Sequence, residues 1–164
     1  MAEAASTVTD KLISILVGPT GIGAAAALMA HRIGVVISPI PVDNITARNV
    51  PAEINERSVP VKYPTLNIYC ERVVNSLREK FRLFSGKAHM VAEVRVSQDR
   101  LDGIERQLQR EVDLITAVLD ANRGDWGDGA YYTGAYEIAF GPVRHGGKNF
   151  IQQAKVTFEV VVSK

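Results

Sequence analysis

The chain has a single cysteine, Cys70, so no disulfide can form within it. That suits a protein made or assembled in the cytosol. Cys70 falls on the apolar phase of "LNIYC" and reads as a small buried hydrophobe. An excess of charge is also missing. Nineteen Lys and Arg against 18 Asp and Glu leave a net charge of +1, which gives no support for a dominant nucleic-acid surface, although local basic patches stay open. Long apolar runs are absent too. The longest, Ile22 to Met29, falls far short of the ~20 residues that cross a bilayer. The opening "MAEAASTVTD" lacks the basic start of a secretory leader, so none is expected.

Motifs that carry chemistry are equally scarce. In "GPTGIG" Gly18 and Gly23 stand five residues apart, but Ala24 occupies the place of the phosphate-binding lysine. The glycine spacing also fails the dinucleotide pattern, and the preceding segment has a helical period where a strand is needed. A helix stop, a turn and a restart explain the glycines better. His31, His89 and His145 lie in no metal-ligand spacing. Asp120, Asp125 and Asp128 in "DANRGDWGDG" lack the EF-hand order and read as turn residues. No serine sits in a nucleophile elbow. The carboxylate pairs Asp102/Glu105 and Glu111/Asp113 fall on a solvated helix face among arginines. The sequence therefore predicts no catalytic residue, no metal and no cofactor.

What is present is an ordinary globular composition, 46% hydrophobic and 23% charged, over 164 residues, the size of one domain. Three zones follow one another. Residues 6–34 carry Val8, Leu12, Ile15 and Leu16, then Ile22, Ala26, Met29 and Ile33, at helical spacing. Thr9 or Ser6 is the expected cap of the first helix, and Gly18 with Pro19 its stop. Residues 35–64 hold five of the seven prolines and read as an extended arm, with one short edge strand near "GVVIS". Residues 65–164 read as the folded core. "LNIYC" is a strand, while "ERVVNSLREKFRLF" fits a helix or a hairpin. "KAHMVAEVRVS" alternates, with Ala88, Met90, Ala92, Val94 and Val96 inward and His89, Glu93 and Arg95 outward. Residues 101–124 predict a long helix with a stripe of Leu101, Ile104, Leu108, Val112, Ile115 and Leu119. Its expected caps are Ser97 or Asp99 at the start and Gly124 at the end. "YEIAF" and "NFIQQAKVTFEVVV" close the chain as two strands joined through "GPVRHGGKN". The expected fold is α+β: a mainly antiparallel sheet of four or more strands, covered by a long amphipathic helix.

Interaction surface stands out more than chemistry. Trp126, Tyr131, Tyr132 and Tyr136 sit among glycines in "GDWGDGAYYTGAY", and Arg144, His145 and Lys148 crowd a glycine-rich turn. Aromatics in loops anchor interfaces. The competing reading is that the rings cap the domain's own core, and for Trp126 the two readings stand level.

From Tyr63 to Val162 the pattern resembles tail-terminator, or tail-completion, proteins of long-tailed bacteriophages. The resemblance rests on "YPTLNIYCERVVNSLREKFRLFSGKAHMVAEVRVSQDRLDGIERQLQREVDLITAVLDANRGDW" and the ending "YEIAFGPVRHGGKNFIQQAKVTFEVVV". It implies a structural virion protein in the neck, without cofactor, assembled in the host cytoplasm. Such proteins form a ring, typically a hexamer, on the tail tube. They stop its polymerisation and meet the head-side connector. Residues 6–64 would then reach a neighbouring subunit or the sheath. Arg95, Arg100, Arg144 and Lys148 would contact a neighbour or face the DNA path through the lumen. Two other readings stand beside it: a connector or stopper of the neck, and a small ligand-binding domain with a pocket near Trp126 and His145.

Overall fold

A computed structural model describes residues 3–52, 54 and 60–164. Residues 53 and 55–59 of the expected arm lie outside the described residues. Helix α1 spans Ala4–Val17 and buries Val8, Leu12 and Leu16, the four-residue repeat seen in the sequence. It starts ahead of the expected caps. Ser6 and Thr9 instead turn their hydroxyls onto the Glu3 and Ala5 carbonyls, at 3.2 and 2.9 Å. Gly18 ends α1. At Gly21 a Cβ would lie 2.1 Å from the Leu16 carbonyl oxygen, so only glycine lets the chain double back this tightly into α2, Ile22–Ile33. No single helix among the described residues is long and apolar enough to cross a membrane.

"GVVIS" forms no strand. The strand of this zone is β1, Ile45–Ala47, just after a 3-10 turn at Val42–Asn44. Pro39 and Pro41 explain the shift, because a strand needs backbone donors that proline lacks. Asn44 Nδ2 donates to the carbonyls of Lys62 and Pro64, both at 3.0 Å, and so ties the far end of the segment back to its middle.

The ambiguous stretch resolves as a hairpin. Strand β2 runs Thr65–Asn75, β3 runs Ser85–Gln98, and residues 76–84 connect them. Helix α3, Ile104–Ala121, begins later than expected. Gly103, at φ 84°, precedes it, Ser97 belongs to β3, and Leu101 stays outside and exposed. The helix also ends early, at Asn122, whose Nδ2 donates to the Val118 carbonyl at 2.7 Å. Gly124 opens a strand that the sequence reading took for loop. This is β4, Gly124–Gly127, paired with β5, Ala130–Phe140, across Asp128 and Gly129. Both turn residues have positive φ, 52° and 76°, as a two-residue hairpin turn requires. A short strand β6, Arg144–Gly146, precedes β7, Asn149–Ser163.

Among the described residues these strands make one sheet, ordered β1-β2-β3-β7-β5-β4. Strand β6 pairs with β7 beyond the end of β5. All pairings are antiparallel except β1 with β2. The fold is α+β. Helices α1 and α3 cover one face, and α2 lies against α3. Leu66, Ile68, Met90, Val94, Val156, Val160 and Tyr132 meet Leu12, Leu108, Ile115 and Leu119 in one apolar core. The predicted inward phase of β3 is the phase that points there.

Two glycines offer a matched test. At Gly129 a Cβ would lie 2.0 Å from the Ser163 carbonyl oxygen; at Gly147, also at positive φ, it would meet nothing within 4 Å. Gly147→Ala is expected to lower stability by about 1 kcal/mol from backbone strain alone. Gly129→Ala should cost about 2 kcal/mol or more. Urea midpoints of the two variants check the order.

Candidate interface surfaces

Strand register sorts the predicted site residues by position. Gln98 stands opposite Phe150, and Gly146 opposite Asn149. The β3–α3 connection and the β6–β7 turn therefore share one end of the sheet. Arg100, Arg144, His145 and Lys148, scattered over nearly fifty residues of sequence, are exposed at this end. The His145 ring stacks at a tilt on Phe150, 5.2 Å between centroids. Val143 and Leu101 flank a cleft beside the start of α3 there, with Asp102 and Glu105 at its rim. This end is thus basic but not purely so.

The opposite end carries the β2–β3 connection and the β4–β5 turn. In the former, Leu77, Phe81 and Leu83 are exposed, interleaved with exposed Arg78, Lys80 and Arg82. Glu79 accepts a bond from the Ser163 hydroxyl at 2.7 Å and folds the connection back toward β7. The sequence leaves this stretch open between a helix and a hairpin, with Leu77 and Phe81 on the possible helix face. The signal that would have separated them is their spacing between two strands that alternate in step.

The aromatic cluster divides. Tyr132 is wholly buried, so as the chain stands it offers no surface for a partner. It packs edge-on against Phe158 at 5.3 Å and beside Trp126 at 5.4 Å. Burial pushes its phenol up to about 12. Trp126 is half-buried, and its Nε1 donates to the Asn122 carbonyl at 2.7 Å, which ties it to the core. Tyr131, one residue from Tyr132 and hence on the other face, is 51% exposed and remains a surface residue. Trp126 packs near Phe158, while His145 pairs with Phe150. Eight residues of β7 separate those positions, roughly 27 Å of strand. The two side chains do not share a pocket.

Arg95 corrects the sequence reading most. The alternation of β3 predicts it on the outward, solvated phase, but it is only 4% exposed. The face away from the helices is partly covered by residues 50–52 of the long connection. Arg95 Nε donates to Glu93 at 2.6 Å, and its Nη2 donates to the Val50 carbonyl at 2.6 Å. Tyr69 and Lys155 complete the group around Glu93, at 3.5 and 3.7 Å. Burial first, and the Glu93 carboxylate second, lift the Tyr69 phenol above its ordinary value. Arg95 is a structural cation that fastens the connection to the sheet. Cys70 is half-buried, next to a bulge in β2, rather than fully inside.

Both margins of the sheet are open in part. Strand β1 pairs only with Leu66–Ile68 of β2, and β4 only with the first residues of β5. Among the described residues, the rest of each outer edge has no strand beside it. Each edge also has a bulge, between Cys70 and Arg72 in β2 and between Tyr132 and Tyr136 in β5. Among the described residues no three His, Cys, Asp or Glu side chains gather as a metal site would. No protein-family model matches the chain, and no curated protein matches it.

Proposed function

We propose that this chain is a structural protein of a phage tail: a ring that caps the tail tube, ends its polymerisation and joins it to the head-side connector. The observation that carries this reading is a sheet that, among the described residues, is partly open at both margins, with two chemically unlike ends. Open edges invite pairing with another chain, and head-to-tail pairing that closes on itself satisfies every edge without unlimited growth. In a ring the two ends face opposite ways along the axis. The basic end at Arg100, Arg144, His145 and Lys148 then meets a different partner from the apolar and basic end at Phe81. The sequence resemblance from Tyr63 to Val162 supplies the identity of those partners: tube protein, connector and, if the tail contracts, sheath. DNA passes through the lumen without specific binding. The role is non-enzymatic and the product is part of the virion.

Light scattering on the purified protein, alone and mixed with tail tubes, is expected to give a closed multimer of about six copies. A persistent monomer in both samples would overturn the reading. Deleting the gene separates a terminator from a connector: over-long tubes indicate the first, and normal tails lacking heads the second.

A further inference from the structure

The β2–β3 connection holds an apolar side chain out in water at a cost. Phe81 is completely exposed, and Leu77 and Leu83 are largely so. Leu77 and Phe81 also have positive φ, 45° and 67°, a region that bulky side chains occupy only under strain. Hydrogen bonds fix the strain in place. Asn75 Oδ1 accepts from the backbone N–H groups of Leu77 and Ser85, at 3.2 and 3.1 Å, and the Ser76 hydroxyl donates to the Ser85 carbonyl at 3.0 Å. A ring presented in this way is preorganised to enter a pocket.

The chain also has a pocket of matching chemistry. Helices α2 and α3 leave an apolar groove of about 660 Å³ between them, lined by Ala24, Leu28 and Met29 of α2 and by Ala117 and Ala121 of α3. Leu28, on its wall, is 74% exposed. We propose that Phe81 of one copy seats in the α2–α3 groove of the next. The inference rests on the ring reading and names a contact between its copies.

Three features support this occupant. Position comes first. Three residues past the end of α3, Gly124 stands opposite Tyr132, Tyr132 opposite Val160, Val160 opposite Ala88, and Ala88 opposite Val73, three residues before the connection. Groove and connection therefore share one end of the molecule. Rotation about an axis along the strands keeps heights, so this contact needs no rise between copies and a ring can close. Strand β1 reaches only Leu66–Ile68, so among the described residues β2 is outermost at this end and its connection stands at a corner.

Area is the second feature. Burying Phe81 removes about 150–250 Å² from water. That is roughly a quarter of the ~800 Å² that each partner hides in a stable interface. The flanking Leu77 and Leu83 add to it.

Charge is the third. The connection carries Arg78, Lys80 and Arg82 against Glu79. On α3, exposed Asp113 lies one turn before Ala117, and exposed Asp120, which also holds Arg123, one turn after it, so both border the groove. The cations of the connection meet these carboxylates on the α3 side, away from Arg32 on the α2 side.

The test removes each half of the contact in turn. Phe81→Asn deletes the ring but keeps a residue that tolerates positive φ, and Leu28→Glu puts a charge on the groove wall. Each is expected to weaken association about tenfold or more by light scattering, with an unchanged circular dichroism spectrum. Cross-linking locates the contact. With Cys70→Ser throughout, Lys80→Cys and Arg32→Cys proteins, mixed and treated with a short bismaleimide, are expected to join, whereas Lys80→Cys and Lys148→Cys proteins are not. A multimer left intact by either Phe81→Asn or Leu28→Glu would overturn the contact while the ring reading stands. Dissociation without the Lys80–Arg32 link would put Phe81 on another surface and overturn the groove. A wild-type protein that stays monomeric with tail tubes present would overturn both readings.

Discussion

Arg95→Met is expected to destabilise the protein by about 3–4 kcal/mol, among the largest effects of any single change outside the apolar core. The guanidinium and the Glu93 carboxylate are both almost completely buried, so removing the cation strands an anion in low dielectric. Lys155, 3.7 Å away and partly exposed, compensates only in part. The same change removes the donor to the Val50 carbonyl, so residues 50–52 lose their tie to the sheet. Two readouts follow. Urea unfolding should show the lost stability, and limited proteolysis should cut the 35–64 connection faster in the variant. Pairing the change with Glu93→Gln is expected to recover more than half of the loss, because the stranded charge goes with it. If Arg95→Met unfolds at the wild-type midpoint, the pair is no anchor.

The second large effect depends on pH. Glu111 sits on α3 three residues after Leu108 and three before Leu114, inside the buried stripe. Only 5% of it is exposed, and its Oε2 has no hydrogen-bond partner. Burial raises its carboxyl to about 7 from an ordinary 4.5. Below pH 4.5 the carboxyl is protonated in folded and unfolded chains alike, and it costs nothing extra. Between 4.5 and 7 the unfolded chain ionises while the folded one resists, so stability falls as pH rises. Above 7 the loss levels off at about 3 kcal/mol. Glu111→Met is expected to remove this slope and to be the more stable protein at pH 8. Urea midpoints at half-unit steps from pH 4.5 to 8 check it, and parallel curves for the two proteins would sink it.

Glu111 and Arg95 also show where reading the sequence stops. Period alone sorted β3 correctly, because alternation decides which side chains point under the helices. It could not say that a second layer, residues 50–52, lies over the other face, so Glu93 and Arg95 looked solvated. Glu111 was placed on the polar side of α3 by its chemistry, whereas the second helix packed beside α3 widens the buried stripe beyond what one sheet would need. Strand β4 was missed because Gly, Asp and Trp resemble a loop, although the Asp128–Gly129 pair is itself a hairpin signal. The basic end was legible as residues but not as a cluster, since only the β3–β7 register brings Arg100 beside the 144–148 turn. Which stretches of the sheet margins go unpaired left no mark in the sequence. An edge is defined by what fails to pair with it, and that is a property of the assembled topology.

The position of β7 bears on the order of events during synthesis. The last strand in chain order lies between β3 and β5, and pairs with both along most of its length. Until residues 149–163 emerge from the ribosome, a nascent chain holds only the β2–β3 hairpin, the β4–β5 hairpin and loose helices. None of these can bury its apolar face alone. Folding is therefore expected to be slow, governed by insertion of this strand between partners distant in sequence.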